Sequence, residues 1–201
     1  MTAGTEGYKN FIPQFIKSSQ SLDFDVVCKD FIPFLPTKPS RILDIGSGAG
    51  QNAAALAEKG FTVTAVEPIP EFLSASIEAF KCQSVNWLNG SLPDMACLVS
   101  DREQFDFVLI NGVWHHINNI EREAAVIRLS ALIKPGGRCA ISLRNGPPGM
   151  GSRVFPTDAQ FASDQFEKHG FECIFQIKNQ SSILPNKENV IWSRIVLQKH
   201  L

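Results

Sequence analysis

The chain has 201 residues, 44% hydrophobic and 19% charged, a size and balance that suit one globular domain with a full core and leave little room for a second. A net charge of −1 gives no global electrostatic pull toward nucleic acid or an anionic membrane. Its five cysteines (Cys28, Cys82, Cys97, Cys139, Cys173) are scattered, odd in number and without Cys-x-x-Cys spacing, which argues against a disulfide framework and a metal site.

Residues 1–40 stand apart. The first residues have neither a basic start nor an apolar leader, and no apolar run reaches membrane-span length, so a cytoplasmic protein is expected. Phe11, Ile12, Phe15 and Ile16 make a helical apolar face, and Pro33, Pro36 and Pro39 mark a linker. The segment reads as a cap or lid, with 41–201 as the main domain. An apolar run then leads into Leu43-Asp44-Ile45-Gly46-Ser47-Gly48-Ala49-Gly50, which predicts a strand, a tight turn and a helix start. Glycines at alternate positions let the backbone turn sharply and bring main-chain N–H groups close to a ligand. Ala53, Leu56 and Ala57 share a helical face ended by Gly60, and a second strand runs from Thr62 to Glu67. Glu67 falls 21 positions after Gly46, where a carboxylate can accept from both hydroxyls of a ribose over the glycine turn.

Further strands are predicted at Val85 to Gly90, Phe105 to Gly112 and Arg138 to Asn145, with no polar alternation in Phe107-Val108-Leu109-Ile110, as expected of strands covered on both faces. The turn Asn89-Gly90-Ser91-Leu92-Pro93-Asp94 puts small polar groups where a base edge would lie, and Asn111-Gly112-Val113-Trp114-His115-His116 follows the fourth strand. Ile120, Ala124, Ile127 and Ala131 form an apolar stripe opposite Arg122 and Arg128, and the helix runs into Leu132-Ile133-Lys134-Pro135-Gly136-Gly137. The Gly/Pro-dense stretch Asn145 to Pro156 is expected to be a mobile loop, and Thr157-Asp158-Ala159-Gln160 a capping box opening a helix that ends before Gly170. Phe171 to Lys178 and Val190 to Lys199, joined by a polar turn, should pair as an antiparallel hairpin. The alternation predicts an α/β fold with a parallel sheet.

With these motifs in order, residues 40–200 resemble the class I S-adenosylmethionine-dependent methyltransferases, specifically the small single-domain group called methyltransferase type 11 or 12. The resemblance implies a Rossmann-like seven-stranded sheet of order 3-2-1-4-5-7-6, strand 7 antiparallel, with helices on both faces. It implies S-adenosylmethionine as cofactor. Asp44 and the turn Gly46, Ser47, Gly48 and Gly50 would hold its methionine part and Glu67, followed by Pro68, its ribose. Ser91 and Leu92 would border the adenine and Asn111 lie beneath the sulfonium, with Tyr8 as an aromatic lid contact. Gln51 stands where a dinucleotide fingerprint wants its third glycine, which disfavours an NAD(P)-dependent oxidoreductase.

Displacement from a sulfonium needs alignment and water exclusion, so a base is optional. His115 and His116 are the candidate catalytic residues, as base or as pocket walls. Arg144, Asn145 and Arg153 should lie on the cofactor's side of the sheet with Trp114, and Arg144 or Arg153 is a candidate partner for an anionic group on the acceptor. No Asn-Pro-Pro-Tyr or Pro-Cys motif follows strand 4. The expectation is methyl transfer to a small or medium-sized organic acceptor, by a monomer or homodimer with no nucleic-acid or membrane partner. A non-catalytic S-adenosylmethionine-binding module is the alternative.

Overall fold

A computed structural model describes residues 2–81, 83–98, 104–184 and 187–201; Cys82 falls outside the described residues. The N-terminal segment forms a 3-10 turn at Tyr8–Phe11, helix α1 at Ile12–Gln20 and a one-turn helix α2 at Phe24–Val27. A proline sits in the first turn of α1, where its missing N–H leaves no bond unmade, and Asp23 caps α2 by accepting from the N–H groups of Asp25 and Val26. Then come β1 (Arg41–Ile45), α3 (Gln51–Glu58), β2 (Thr62–Glu67), α4 (Pro70–Ala79), β3 (Val85–Asn89) and β4 (Phe105–Ile110). The chain continues through α5 (Asn119–Leu132), β5 (Ile133–Asn145), α6 (Ala159–Glu167), β6 (Phe171–Ser181) and β7 (Ile191–Lys199).

The seven strands form one sheet in the order β3-β2-β1-β4-β5-β7-β6, with β7 antiparallel to both neighbours, as the resemblance implies. Alternation along the buried strands divides the core between two faces. Ile42, Val63, Phe107, Leu109, Ala140 and Val196 join Phe24, Cys28, Ala53 and Leu56 on the face that α2 and α3 cover. Leu43, Val66, Val108, Ile141, Leu143 and Ile195 join Val126, Leu129, Ala162 and Phe166 under α5 and α6. Among the described residues no helix is long and apolar enough to cross a membrane.

Three local expectations are corrected. The apolar stripe assigned to α5 faces outward: Ile120 is 81% and Ile127 54% exposed, while Arg122, Ala125, Val126, Leu129 and Leu132 are buried. Both stripes have helical spacing, so periodicity could not choose between them. Burial of Arg122 decides it, because that guanidinium finds acceptors in the carbonyls of Trp114 and Pro156 and in Asn119 Oδ1. The cap of α6 is Asp158 rather than Thr157; Asp158 Oδ1 accepts from the Phe161 N–H at 2.8 Å, while Thr157 turns back to bond Arg144 and Asn145. The Lys134-Pro135-Gly136-Gly137 turn is absorbed into β5 as an irregularity against β4 between Phe105 and Phe107.

Candidate active site

At the carboxyl end of β1 the glycine turn is built as its residues require. Gly46, Gly48 and Gly50 have φ of 67°, 56° and 88°, all left-handed, and a Cβ on Gly46 would drive into Val113. The N–H groups of Gly46 and Ser47 donate to the Val66 carbonyl at 2.8 and 3.1 Å, which fixes the turn to β2. Glu67, 4% exposed, bridges turn and strand end: Oε2 accepts from the Gly48 N–H and Oε1 from the Ile69 N–H, both at 2.8 Å. Burial pushes Glu67 up to about 7 against the pull of those two amides. Burial and then the Glu67 charge push Asp44 up to about 7 as well.

This turn opens into a cavity of about 670 Å³, within the range of small-molecule sites. Of the residues expected at a site, Tyr8, Gly46, Ser47, Gly48, Glu67, Pro68, Ser91, Leu92, Asn111, His115, His116 and Arg144 line it. Asp44, Gly50, Trp114, Asn145 and Arg153 do not. Asp44 is 1% exposed behind the turn, and Gly50 begins α3 packed against Ser76 and Trp87. Trp114 lies in the core beside Phe166. The Asn145 amide is taken up on both sides by Thr157, through Nδ2 to its carbonyl and Oδ1 from its N–H. Arg153 donates to both carboxylate oxygens of Glu121 at 2.9 Å and to the His116 carbonyl.

The N-terminal segment covers one side. Phe15 stacks on Phe72 of α4 with ring centroids 4.3 Å apart, and its edge lies over Gly48. Tyr8 meets both rings edge-on and reaches His116, Oη to Nε2, at 3.0 Å. The other imidazole nitrogen, Nδ1, is 2.7 Å from the Arg153 carbonyl, which can only accept. Nδ1 therefore carries the proton, Nε2 presents a lone pair, and the Tyr8 hydroxyl donates to it. Burial lowers the His116 pKa, so the ring is neutral near pH 7; burial and the Glu67 charge raise Tyr8 to about 12. The Gly/Pro-dense stretch expected to move is tied to the same place: Ser152 N–H donates to the Glu6 carbonyl and Phe155 N–H to that of His115.

The opposite end is formed by residues that the sequence reading passed over. Trp192 and Arg194 of β7, and Ile183, Leu184 and Val190 before it, line the cavity beside Arg144. A signal was available. Because β7 returns antiparallel to β5, its first residues must lie at the carboxyl end of the parallel strands, and register pairs Arg144 with Trp192 and Ser142 with Arg194.

The residues present fit S-adenosylmethionine. Asp44 Oδ2, Ser47 Oγ, Gln51 Oε1 and Asn52 Oδ1 are buried without a hydrogen-bond partner, and all four belong to the glycine turn and its flanks. Such a cluster of orphaned oxygens suits the ammonium of an amino-acid group. Each Glu67 oxygen keeps a lone pair for a ribose hydroxyl, and Ser91 and Leu92 offer a mixed edge for a base.

Comparison with known proteins points the same way. A family model described as a methyltransferase domain matches residues 43–141. The chain is 30% identical over 114 residues to an uncharacterized methyltransferase of Mycobacterium tuberculosis, covering 53% of this chain and 41% of that protein. It is 30% identical over 108 residues to a ubiquinone biosynthesis O-methyltransferase of Coxiella burnetii, covering 54% and 45%. The chain thus spans less than half the length of these relatives. A TehB-like SAM-dependent methyltransferase from Corynebacterium glutamicum has a similar structure, with a TM-score of 0.68 at 18% identity over 96% of this chain and 97% of that one, a likeness of fold.

Proposed function

We infer that the chain belongs to the class I S-adenosylmethionine-dependent methyltransferases, and that it transfers a methyl group from S-adenosylmethionine to a small or medium-sized organic acceptor. The observation that carries this is the set of unpartnered oxygens around the glycine turn, opening with Glu67 into a cavity closed by Tyr8 and His116. When bound, the cofactor supplies a methyl group on a sulfonium, a good leaving group. The glycine turn with Gln51 and Asn52, backed by Asp44 behind it, would hold the amino-acid end, Glu67 the ribose, and Ser91 and Leu92 the base. Of residues 1–40, those from 8 to 20 act as a lid: the rings of Tyr8 and Phe15 close on Phe72 of α4, keep water from the reacting atoms and narrow the acceptor's approach, while Phe24 and Cys28 belong to the core.

Tyr8 and His116 handle the proton of a hydroxyl acceptor. Tyr8 Oη takes that proton as it passes its own to His116 Nε2, and the Arg153 carbonyl steadies the imidazolium through Nδ1–H. Asn145, Arg153 and Trp114 hold the frame and do not touch the acceptor; Arg144 faces it.

Calorimetric titration with S-adenosylhomocysteine, with NAD for comparison, tests the cofactor assignment. Binding of the former that is lost in Glu67→Ala supports it, and preference for NAD overturns it. With labelled S-adenosylmethionine and a metabolite extract, His116→Gln should lose turnover and keep S-adenosylhomocysteine affinity; unchanged turnover removes the proton role.

A further inference from the structure

This inference rests on the methyltransferase reading and concerns the acceptor. Arg144 is 8% exposed and sits in the cavity wall. Its guanidinium donates to the carbonyls of Gly146 and Pro147, at 3.4 and 2.6 Å, and among the described residues no carboxylate forms an ion pair with it. A buried cation without a counter-ion is costly, and five N–H donors leave some free after two are used. The neighbouring Arg194 differs, because Asp30 lies 3.5 Å from its Nε and Gln180 accepts from Nη1. One guanidinium is therefore open to an anion.

Its surroundings are flat and apolar. Strand register sets Trp192 directly beside Arg144, the His115 ring meets Trp192 edge-on with centroids 6.3 Å apart, and Leu184 and Val190 complete the wall. His115 Nδ1 is buried without a hydrogen-bond partner and adds a polar point to that wall. We propose that the methyl acceptor is a carboxylic acid with a flat, largely apolar body. Its carboxylate docks on the free edge of Arg144, its body lies along Trp192 and Leu184, and the group to be methylated turns toward Tyr8 and His116. A carboxylate is favoured over a phosphate because the planar fork of the guanidinium matches its two oxygens.

The test uses the full chain and three probe pairs, benzoate, 4-hydroxybenzoate and indole-3-carboxylate, each against its neutral amide, titrated with and without saturating S-adenosylhomocysteine. At least one acid should bind, with its amide weaker by about thirtyfold or more. Arg144→Gln should bring the acid down to the amide's level, and Arg144→Lys, which keeps charge without the fork, should fall between and serves if the Gln variant does not fold. No binding by any acid, equal binding of acid and amide, or undiminished binding by the variants overturns the proposal. If S-adenosylhomocysteine itself fails to bind, the methyltransferase reading falls separately, and the acid-against-amide comparison in its absence still decides this one.

Discussion

Asp44 and Glu67 illustrate how far single residues could be understood before the fold was known. Their placement at the ends of the first two strands was readable from spacing, but their mutual charge and burial were not. Both are pushed up to about 7, which means that the folded chain holds these protons more tightly than the unfolded chain does. The stabilisation is present below their ordinary values of 3.8 and 4.5 and is lost as pH rises through about 7. Asp44→Asn removes one such group, so its stability relative to wild type should improve by a few kcal/mol between pH 4 and pH 8, as read by urea denaturation at each pH. Parallel profiles would contradict the buried-acid account. Gly46→Ala combines a left-handed backbone with a collision at Val113 and should cost about 1–3 kcal/mol, measured as a fall in the unfolding midpoint.

Helix α5 shows what periodicity can and cannot do. The existence and span of the helix follow from its capping box, in which Asn118 Oδ1 accepts from the Glu121 N–H at 3.0 Å and Glu121 Oε2 from the Asn118 N–H at 2.7 Å. Its inward face does not follow, because a buried arginine looks polar in sequence and finds its acceptors only in segments that fold around it. Arg122→Leu leaves the Trp114 and Pro156 carbonyls unpaired and should lower stability by about 2 kcal/mol, with the loss visible in thermal denaturation. Because Trp114 adjoins His115, the same variant should weaken acceptor binding more than binding of S-adenosylhomocysteine. The β6–β7 hairpin was legible as a hairpin, yet its role as a cavity wall depends on β7 returning beside β5.

Across the molecule, the cavity joins a rigid sheet to a lighter cover. Strands β1 and β4 lie centrally and are buried on both faces, so their amides should exchange with solvent at the rate of global unfolding. Residues 8–20 touch the rest through Phe15, Tyr8 and a few polar bonds, and should open without global unfolding, with protection that rises when S-adenosylhomocysteine is added. Hydrogen exchange read by mass spectrometry checks both, and uniform protection over the chain would refute the lid.

By itself the sequence determined the βα alternation, the glycine turn, Glu67 and the terminal hairpin, and with the family likeness the strand order. These depend on near neighbours: a glycine's missing Cβ, a run of apolar residues, a cap three positions from its partner. Only the tertiary structure decided which face of α5 is buried, that Arg153 and Asn145 are braced while Arg144 is open, and that Trp192 and Arg194 belong to the cavity. It also joined Tyr8 to His116 across 108 positions. The physical reason is range: the cofactor end is built from consecutive strand ends and turns, whereas the acceptor end comes from an N-terminal cover and an antiparallel return, whose meeting no local pattern encodes.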